Sequence, residues 1–434
     1  MLAPFTRGAT PREARRIGME VEVQGVDPET GHRLPFDGPR GIERVLHRLA
    51  ARGGWEPVCE GDRLVALARA GATITLEPGG QVELSTAPRA TLGELAADHR
   101  GFVAELDAVA GELGVQWTCL GAHPLDTPAE VAWVPKGRYA LLSRHLAATG
   151  ELGHWMMKLT SGLQVALDYA DEAECFDLVR TAQAVTPVVG ALAANAPFVA
   201  GGPAPVACWR RHVWRETDPA RCGLLAGPHE DPAYGFADYA RYAAGLPMPF
   251  RLRGGVWLDP GGRTFAELLA RGEATAADWE LHLTSVFTEV RLKHFVEVRG
   301  CDHPGVGRVE ALAALWVGLL YDETARRAAW RLAGARSAAE LEELDRRAIA
   351  EGLAARAHGT TVGELARALV RLAAEGLTRL GEDPTRLEPL ARLADAGRNP
   401  AAEVRAACAD RDGRLDVAAW LAYERRAWRR YLEG

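Results

Sequence analysis

The stretch "ITLEPGGQVELST" (Ile74–Thr86) decides how this chain folds. Ile74 and Leu76 oppose Glu77 before Pro78-Gly79-Gly80, and Val82 and Leu84 oppose Gln81 and Glu83 after it. Period-two alternation on both sides of a Pro-Gly turn predicts two strands, each with one apolar and one polar face. The pattern recurs in "RIGMEVEVQ" (16–24), where Met19, Val21 and Val23 oppose Glu20, Glu22 and Gln24. It recurs again in "SGLQVALDY" (161–169), with Gln164 and Asp168 on the polar side, and in "FVEVRG" (295–300), with Glu297 and Arg299. Strands of this kind suit an antiparallel sheet covered on one side only.

Between them, "GIERVLHRLAAR" (41–52) and "TLGELAADHRGFVAELDAVAGELG" (91–114) carry apolar residues at helical spacing. From Val309 onward the chain is rich in Ala, Leu, Arg and Glu and predicts helix almost throughout. Strands and helices do not alternate strictly, so the expected class is α+β. Residues 1–308 form a sheet region with flanking helices in this reading, and 309–434 a helical subdomain packed on the same domain.

The chain has 434 residues, 48% of them hydrophobic and 25% charged, and a net charge of −7. That balance excludes a global basic field for nucleic acid or an anionic membrane. No run of 18 apolar residues and no charged-then-apolar leader is seen, so neither a membrane span nor a secretory signal is expected. Seven scattered cysteines form no CxxC pair, which fits reduced thiols in a cytoplasm.

Taken singly, an acidic residue on a strand is a solvated side chain. Taken together, Glu20, Glu22, Glu77, Glu83 and Glu297 would repel one another if their strands share a sheet. Two unit charges about 4 Å apart at an effective dielectric near 20 cost roughly 4 kcal/mol. A cluster of that kind calls for divalent cations, and all-oxygen ligands select Mg²⁺ or Mn²⁺ over zinc. Several such ions beside basic residues point to nucleoside triphosphate chemistry. The chain has no GxxxxGK[ST] loop and no HExxH, so ATP would bind through metals on a sheet. Candidate basic partners are Lys136 and Arg138 in "PKGRY", and Arg291, Lys293 and Arg299 flanking Glu297. Arg210, Arg211, Arg215 and Arg221 mix with Trp209 and Trp214 in "CWRRHVWRETDPARCG", which reads either as surface stacking or as a carboxylate or nucleotide clamp.

These motifs resemble the glutamate–cysteine ligases of the plant-type group, which includes bacterial enzymes feeding glutathione and ergothioneine synthesis. The resemblance runs from Gly18 to Asp322 through "IGMEVEV", "TLEPGGQVELSTAP", "PKGRYALL", "MMKLTSGLQVALDY", "ALAANAPF", "RRHVWRETDPARCG", "DWELHLTSVFTEVRLKHFVEVRG" and "LAALWVGLLYD", in matching order. It implies a glutamine-synthetase-like fold, a curved antiparallel sheet forming a funnel. It also implies ATP-dependent joining of the glutamate γ-carboxylate to the amine of cysteine through a γ-glutamyl phosphate. By the same resemblance Glu20, Glu22, Glu77, Glu83, Gln164 and Glu297 would hold Mg²⁺, roughly two or three ions, with Mn²⁺ able to substitute. Arg138 and Arg210 would bind the glutamate carboxylates, and Arg299 would face the transferring phosphoryl group with Glu297 and Glu77 beside it. Arg291, Lys293 and Trp214 would contact the nucleotide. Trp155, Met156 and Met157 would give the cysteine side chain a soft apolar wall.

Leu159 stands where relatives usually carry arginine, Ala166 where asparagine is usual, Pro249 for an aromatic and Thr288 for proline. These departures leave glutamate activation intact and open a second reading, a γ-glutamyl ligase with another amine acceptor. A third reading is a catalytically silent binder of glutamate or nucleotide. The expected partners are the small molecules glutamate, cysteine and ATP, handled by a monomer or homodimer.

Overall fold

The computed structural model describes residues 1–334, 337–357 and 359–434. The alternating segments become strands of one nine-stranded sheet. In chain order its strands are β1 (Ile17–Val26), β2 (Glu56–Glu60), β3 (Arg63–Arg69), β4 (Ala72–Leu76), β5 (Val82–Ser85), β6 (Gln116–Thr118), β7 (Gly162–Leu167), β8 (Val290–Leu292) and β9 (Val296–Asp302). Across the sheet they run β8-β9-β7-β1-β5-β4-β3-β2, every neighbouring pair antiparallel.

The central strand β1 changes partners along its length. Ile17–Val21 pair with β7, Glu20–Val23 with β5, and Gln24–Val26 with β6. Its apolar side, Met19, Val21 and Val23, is buried to 2% exposure or less. The Pro78-Gly79-Gly80 turn between β4 and β5 needs both glycines. Gly80 has φ +81°, and a Cβ built on Gly79 would overlap the carbonyl oxygen of Lys158.

The helices that build the core and the site are α1 (Ile42–Gly53), α2 (Leu92–Leu113), α3 (Gly137–Thr149), α4 (Gly153–Leu159), α5 (Glu172–Ala193), α6 (Trp209–Arg215), α7 (Val309–Leu320), α8 (Glu323–Ala329), α9 (Ala338–Glu351), α10 (Val362–Leu380) and α11 (Val417–Glu433). α2 starts at a Thr91/Glu94 capping box and ends at left-handed Gly114, the boundaries its sequence predicts. α1, α2, α5 and α7 pack on strands of the sheet. α7 is the innermost helix, with all but Glu310 of its residues buried.

Among the described residues, the region after residue 308 consists of helices joined by loops, with a short strand pair at 356–357 and 360–361. It shares one continuous apolar cluster with the sheet. α11 is tied to β6 and its exit, where Gln116 donates to Leu421 O (2.9 Å) and Glu424 accepts from Cys119 N (3.1 Å).

One expectation is corrected here. The polar face of the sheet is largely covered: Glu22, Glu83, Gln164 and Glu297 are all 9% exposed or less, while Glu20 and Glu77 are partly exposed. Side chains from α3, α4 and α6, with Phe250 and Phe287, close over it and leave a cavity.

Candidate active site

The cavity has a volume of about 330 Å³ and its floor is the polar face of the sheet. The strand register sets the floor. Glu20 lies opposite Gln164 across β1 and β7, and Glu22 lies opposite Glu83 across β1 and β5. Like charges placed directly across a ladder are destabilising; more distant cations, Arg210 toward Glu22 and Lys136 toward Glu83, offset this in part, and the hydrogen bonds come from neutral groups. Glu22 accepts from Gly162 N (2.8 Å) and Glu83 from the Thr75 hydroxyl (2.7 Å). Burial first, then repulsion from Glu297 and Glu83, pushes Glu20 up to about 7. Burial and then Glu77 push Glu83 up to about 7, and burial with Glu83 and Glu77 raises Glu22 well above the usual range.

At the β8–β9 edge the balance reverses. Glu297 is 1% exposed and meets Arg291 Nε at 2.6 Å, Arg299 Nη1 at 2.9 Å and Lys293 Nζ at 3.2 Å. Burial alone would raise its carboxyl, but the three cations outweigh burial and hold it well below the ordinary value. Arg299 also donates to Gln164 Oε1. A bulge between Val298 and Cys301 breaks the β7–β9 register at Arg299. Trp214 lies beside two guanidiniums, with Arg210 and Arg299 at 5.5 and 5.6 Å from its ring centroid.

Arg138 lines the cavity from the first turn of α3. Its neighbours Lys136 and Tyr139 both donate to Leu76 O, at 2.8 and 2.6 Å, tying this helix start to the end of β4. Burial and Arg138 lower Lys136 to about 8. The remaining wall is largely apolar, Leu142, Met156, Met157, Phe250 and Phe287, with Thr160, Thr284 and Ser285 among them.

Glu20, Glu22, Glu77, Glu83, Gln164, Arg138, Arg291, Lys293, Arg299, Trp214, Met156 and Met157 therefore line one cavity. Three residues do not. Arg210, expected to bind a carboxylate, is 3% exposed and is not a lining residue; its Nη1 is 3.5 Å from Arg299 O and its charge favours the ionised Glu22. Trp155 packs edge-on against Trp209 at 5.9 Å instead of facing the cavity. Glu297 is enclosed by its three cations, two of them on Oε2, while its buried Oε1 accepts no hydrogen bond and has only the Lys293 ammonium beside it. Sequence reasoning did not identify Tyr139, Thr75 or Lys136 in these roles, nor a buried clamp beneath the turn. In the clamp Arg33 donates to Gln24 Oε1 and Gly79 O, each at 2.7 Å, and Gln81 donates to Thr160 O at 2.8 Å. Gln81, placed on the floor by alternation, spends its amide on this clamp.

Among the described residues no three His, Cys, Asp or Glu side chains converge closely enough to hold a metal ion as they stand. The donor set nevertheless suits a hard cation. Glu20, Glu22 and Glu83 supply carboxylate oxygens whose mutual repulsion a divalent ion would relieve, with Glu77 at the rim.

The glutamate-cysteine ligase family 2 profile matches residues 16–422 of the chain. The chain is 37% identical over 388 residues to a chloroplastic glutamate–cysteine ligase of Brassica juncea, covering 88% of this chain and 75% of that protein. It is 36% identical to the corresponding Arabidopsis thaliana protein, with 88% and 74% covered. Among solved structures, a glutamate–cysteine ligase from Francisella tularensis in complex with AMP superposes with TM-score 0.61 at 11% identity, covering 97% of this chain and 89% of that one. A bifunctional glutathione synthetase from Pasteurella multocida gives TM-score 0.52 at 13% identity, covering 97% of this chain and 52% of that one. At such identities these two matches speak for the fold alone. Among the described residues no helix is long and apolar enough to cross a membrane.

Proposed function

Because the chain belongs to glutamate–cysteine ligase family 2, we infer that the cavity joins glutamate to cysteine at the expense of ATP, giving γ-glutamylcysteine, ADP and phosphate. The observation that carries this reading is the division of charge within the cavity, with unpaired carboxylates on one side and a cationic cluster on the other. Amide formation from a carboxylate needs a leaving group. Attack of the glutamate γ-carboxylate on the terminal phosphorus of ATP supplies it as γ-glutamyl phosphate, as the bond from that phosphorus to the bridging oxygen breaks and ADP leaves. The cysteine amine then attacks the acyl carbon, and the C–O bond to phosphate breaks.

Each part of the wall has a task in this reading. Arg299, Arg291 and Lys293 face the phosphoryl group, and Glu297 fixes their geometry in advance. Such preorganised donors stabilise developing charge without reorganising at the moment of reaction. Arg138 takes a glutamate carboxylate with a planar two-pronged donor. Arg210 acts through its contact with the Arg299 carbonyl and Trp214. Met156, Met157, Leu142 and Phe287 exclude water and receive the small, weakly polar side chain of cysteine. Glu20, Glu22, Glu77, Glu83 and Gln164 would hold Mg²⁺, which neutralises phosphate charge and the mutual repulsion of its own ligands. The product feeds glutathione synthesis. The chain works in the cytoplasm as a monomer or homodimer.

The test is ADP release with glutamate and a panel of amines, with product mass measured. Cysteine should exceed other amino acids by well over tenfold, with 2-aminobutyrate within about a hundredfold because one small group in an apolar pocket discriminates weakly. A bulky amino acid or polyamine outrunning cysteine would keep glutamate activation and replace the acceptor. Absence of glutamate-dependent ATP turnover would overturn the reading.

A further inference from the structure

A second cleft, of about 400 Å³, lies between α5, α8 and the helical turn after α8, and shares no lining residue with the active-site cavity. Its charge is one-sided. Arg180, Arg326, Arg327 and Arg331 line it, against Asp177 as the lining carboxylate. Arg327 is paired with Glu323. Arg180 is pinned by Pro228 O and Pro232 O, each at 2.7 Å, with Asp177 at 3.6 Å.

Arg326 is different. It is 5% exposed, and its Nη1 donates to Leu320 O at 2.6 Å. Among the described residues no carboxylate stands within ion-pairing distance of it. A buried guanidinium without a contacting carboxylate is costly, because distant opposite charges offset its desolvation only in part. Burial lowers its proton affinity, although Asp177 and Glu323 oppose the shift. Arg331, across the cleft, is exposed and also lacks a carboxylate partner among the described residues. Trp330 and His229 form a tilted aromatic wall, with centroids 5.2 Å apart. Trp330 opens a π-helical turn (Trp330–Gly334), a local departure from α geometry that carries both Trp330 and Arg331 on the cleft.

We propose that this cleft binds a small phosphate-bearing anion, with Arg326 at its base and Arg331 at its rim. Two guanidiniums, from α8 and from the following turn, match a tetrahedral oxyanion better than a single planar carboxylate, which one fork satisfies. The site is independent of the assigned reaction.

The full-length chain is titrated, without divalent metal and at constant ionic strength, with inorganic phosphate or pyrophosphate against chloride, and its melting temperature is followed. Either phosphate probe should raise the melting temperature of the wild type, and Arg331→Glu should move the half-point at least tenfold higher. Arg429→Glu makes the same charge change on α11, which has no residue in the cleft, and should leave the half-point unchanged. Arg326→Gln should melt higher than wild type in chloride and lose the phosphate response. If it fails to fold, Arg331→Glu decides alone. Phosphate binding in the active-site cavity is common to all these proteins and drops out of the comparison. No stabilisation beyond chloride, or the same half-point in wild type and Arg331→Glu, overturns the proposal.

Discussion

Two strands apart on one sheet face, Glu20 and Glu297 titrate in opposite directions, and the cause is their neighbours. Glu20 and Glu83 keep protons up to about 7 in the folded chain, against an ordinary value of 4.5. The stability they contribute is therefore complete below about 4.5 and is lost as pH rises through about 7. Without divalent metal, Glu20→Gln cannot ionise, so its melting temperature should gain on wild type as pH goes from 5 to 8. Calorimetry in EDTA checks this, and a constant difference would mean that neither burial nor its neighbours raise the Glu20 carboxyl. Glu297 and Glu77 separate in another way. Glu297→Gln leaves three cations without their shared counter-charge, so it should destabilise the fold by about 3–5 kcal/mol and lower turnover at least a hundredfold. Glu77→Gln should lower turnover similarly with an unchanged melting temperature. Equal melting behaviour of the two variants would remove the distinction. The acidic residues were legible because strand alternation alone sends them to one face. Arg210 was not: it and Arg211 are adjacent on α6, and one meets Arg299 O while the other meets Asp345 at 2.6 Å on α9. Which of two neighbouring arginines faces the substrate depends on how the helix is rotated, and tertiary packing sets that rotation.

The turn between β4 and β5 is the element on which the floor depends. Arg33 holds it from below, Gln81 ties it to the end of α4, and Gly79 lies flush against Lys158. Gly79→Ala should force the turn away from Lys158, displacing Glu77 and reducing kcat more than tenfold, whereas Gly61→Ala, at an open turn between β2 and β3, should leave kcat unchanged. Steady-state kinetics on the two variants compare a clash with simple left-handed strain. The strands carrying the site were readable because their alternation is uninterrupted. The β2–β3 hairpin was not identified, because a register shift between Val58 and Cys59 breaks its period and β2 is largely exposed.

At the scale of the molecule, we propose that 1–308 and 309–434 unfold together. α7 is buried against α2, α5 and β7, and α11 hydrogen-bonds to residues 116 and 119, so neither part has a dry surface of its own. Calorimetry should show one transition, and two resolved transitions would divide the chain near residue 308. The helical character of the C-terminal part was legible from composition. Its place inside the shared core was not, since a run such as Val309–Leu320 reads as buried without saying against what. The sheet order has a further consequence, in time. β1 and β7 are both synthesised early, but β7's other neighbour, β9, leaves the ribosome only about 130 residues later. At ordinary elongation rates β7 keeps an open edge for on the order of ten seconds, with Leu163, Val165 and Leu167 ready to pair with any other strand. A stalled or truncated product ending before residue 296 lacks the strand that covers this edge of β7.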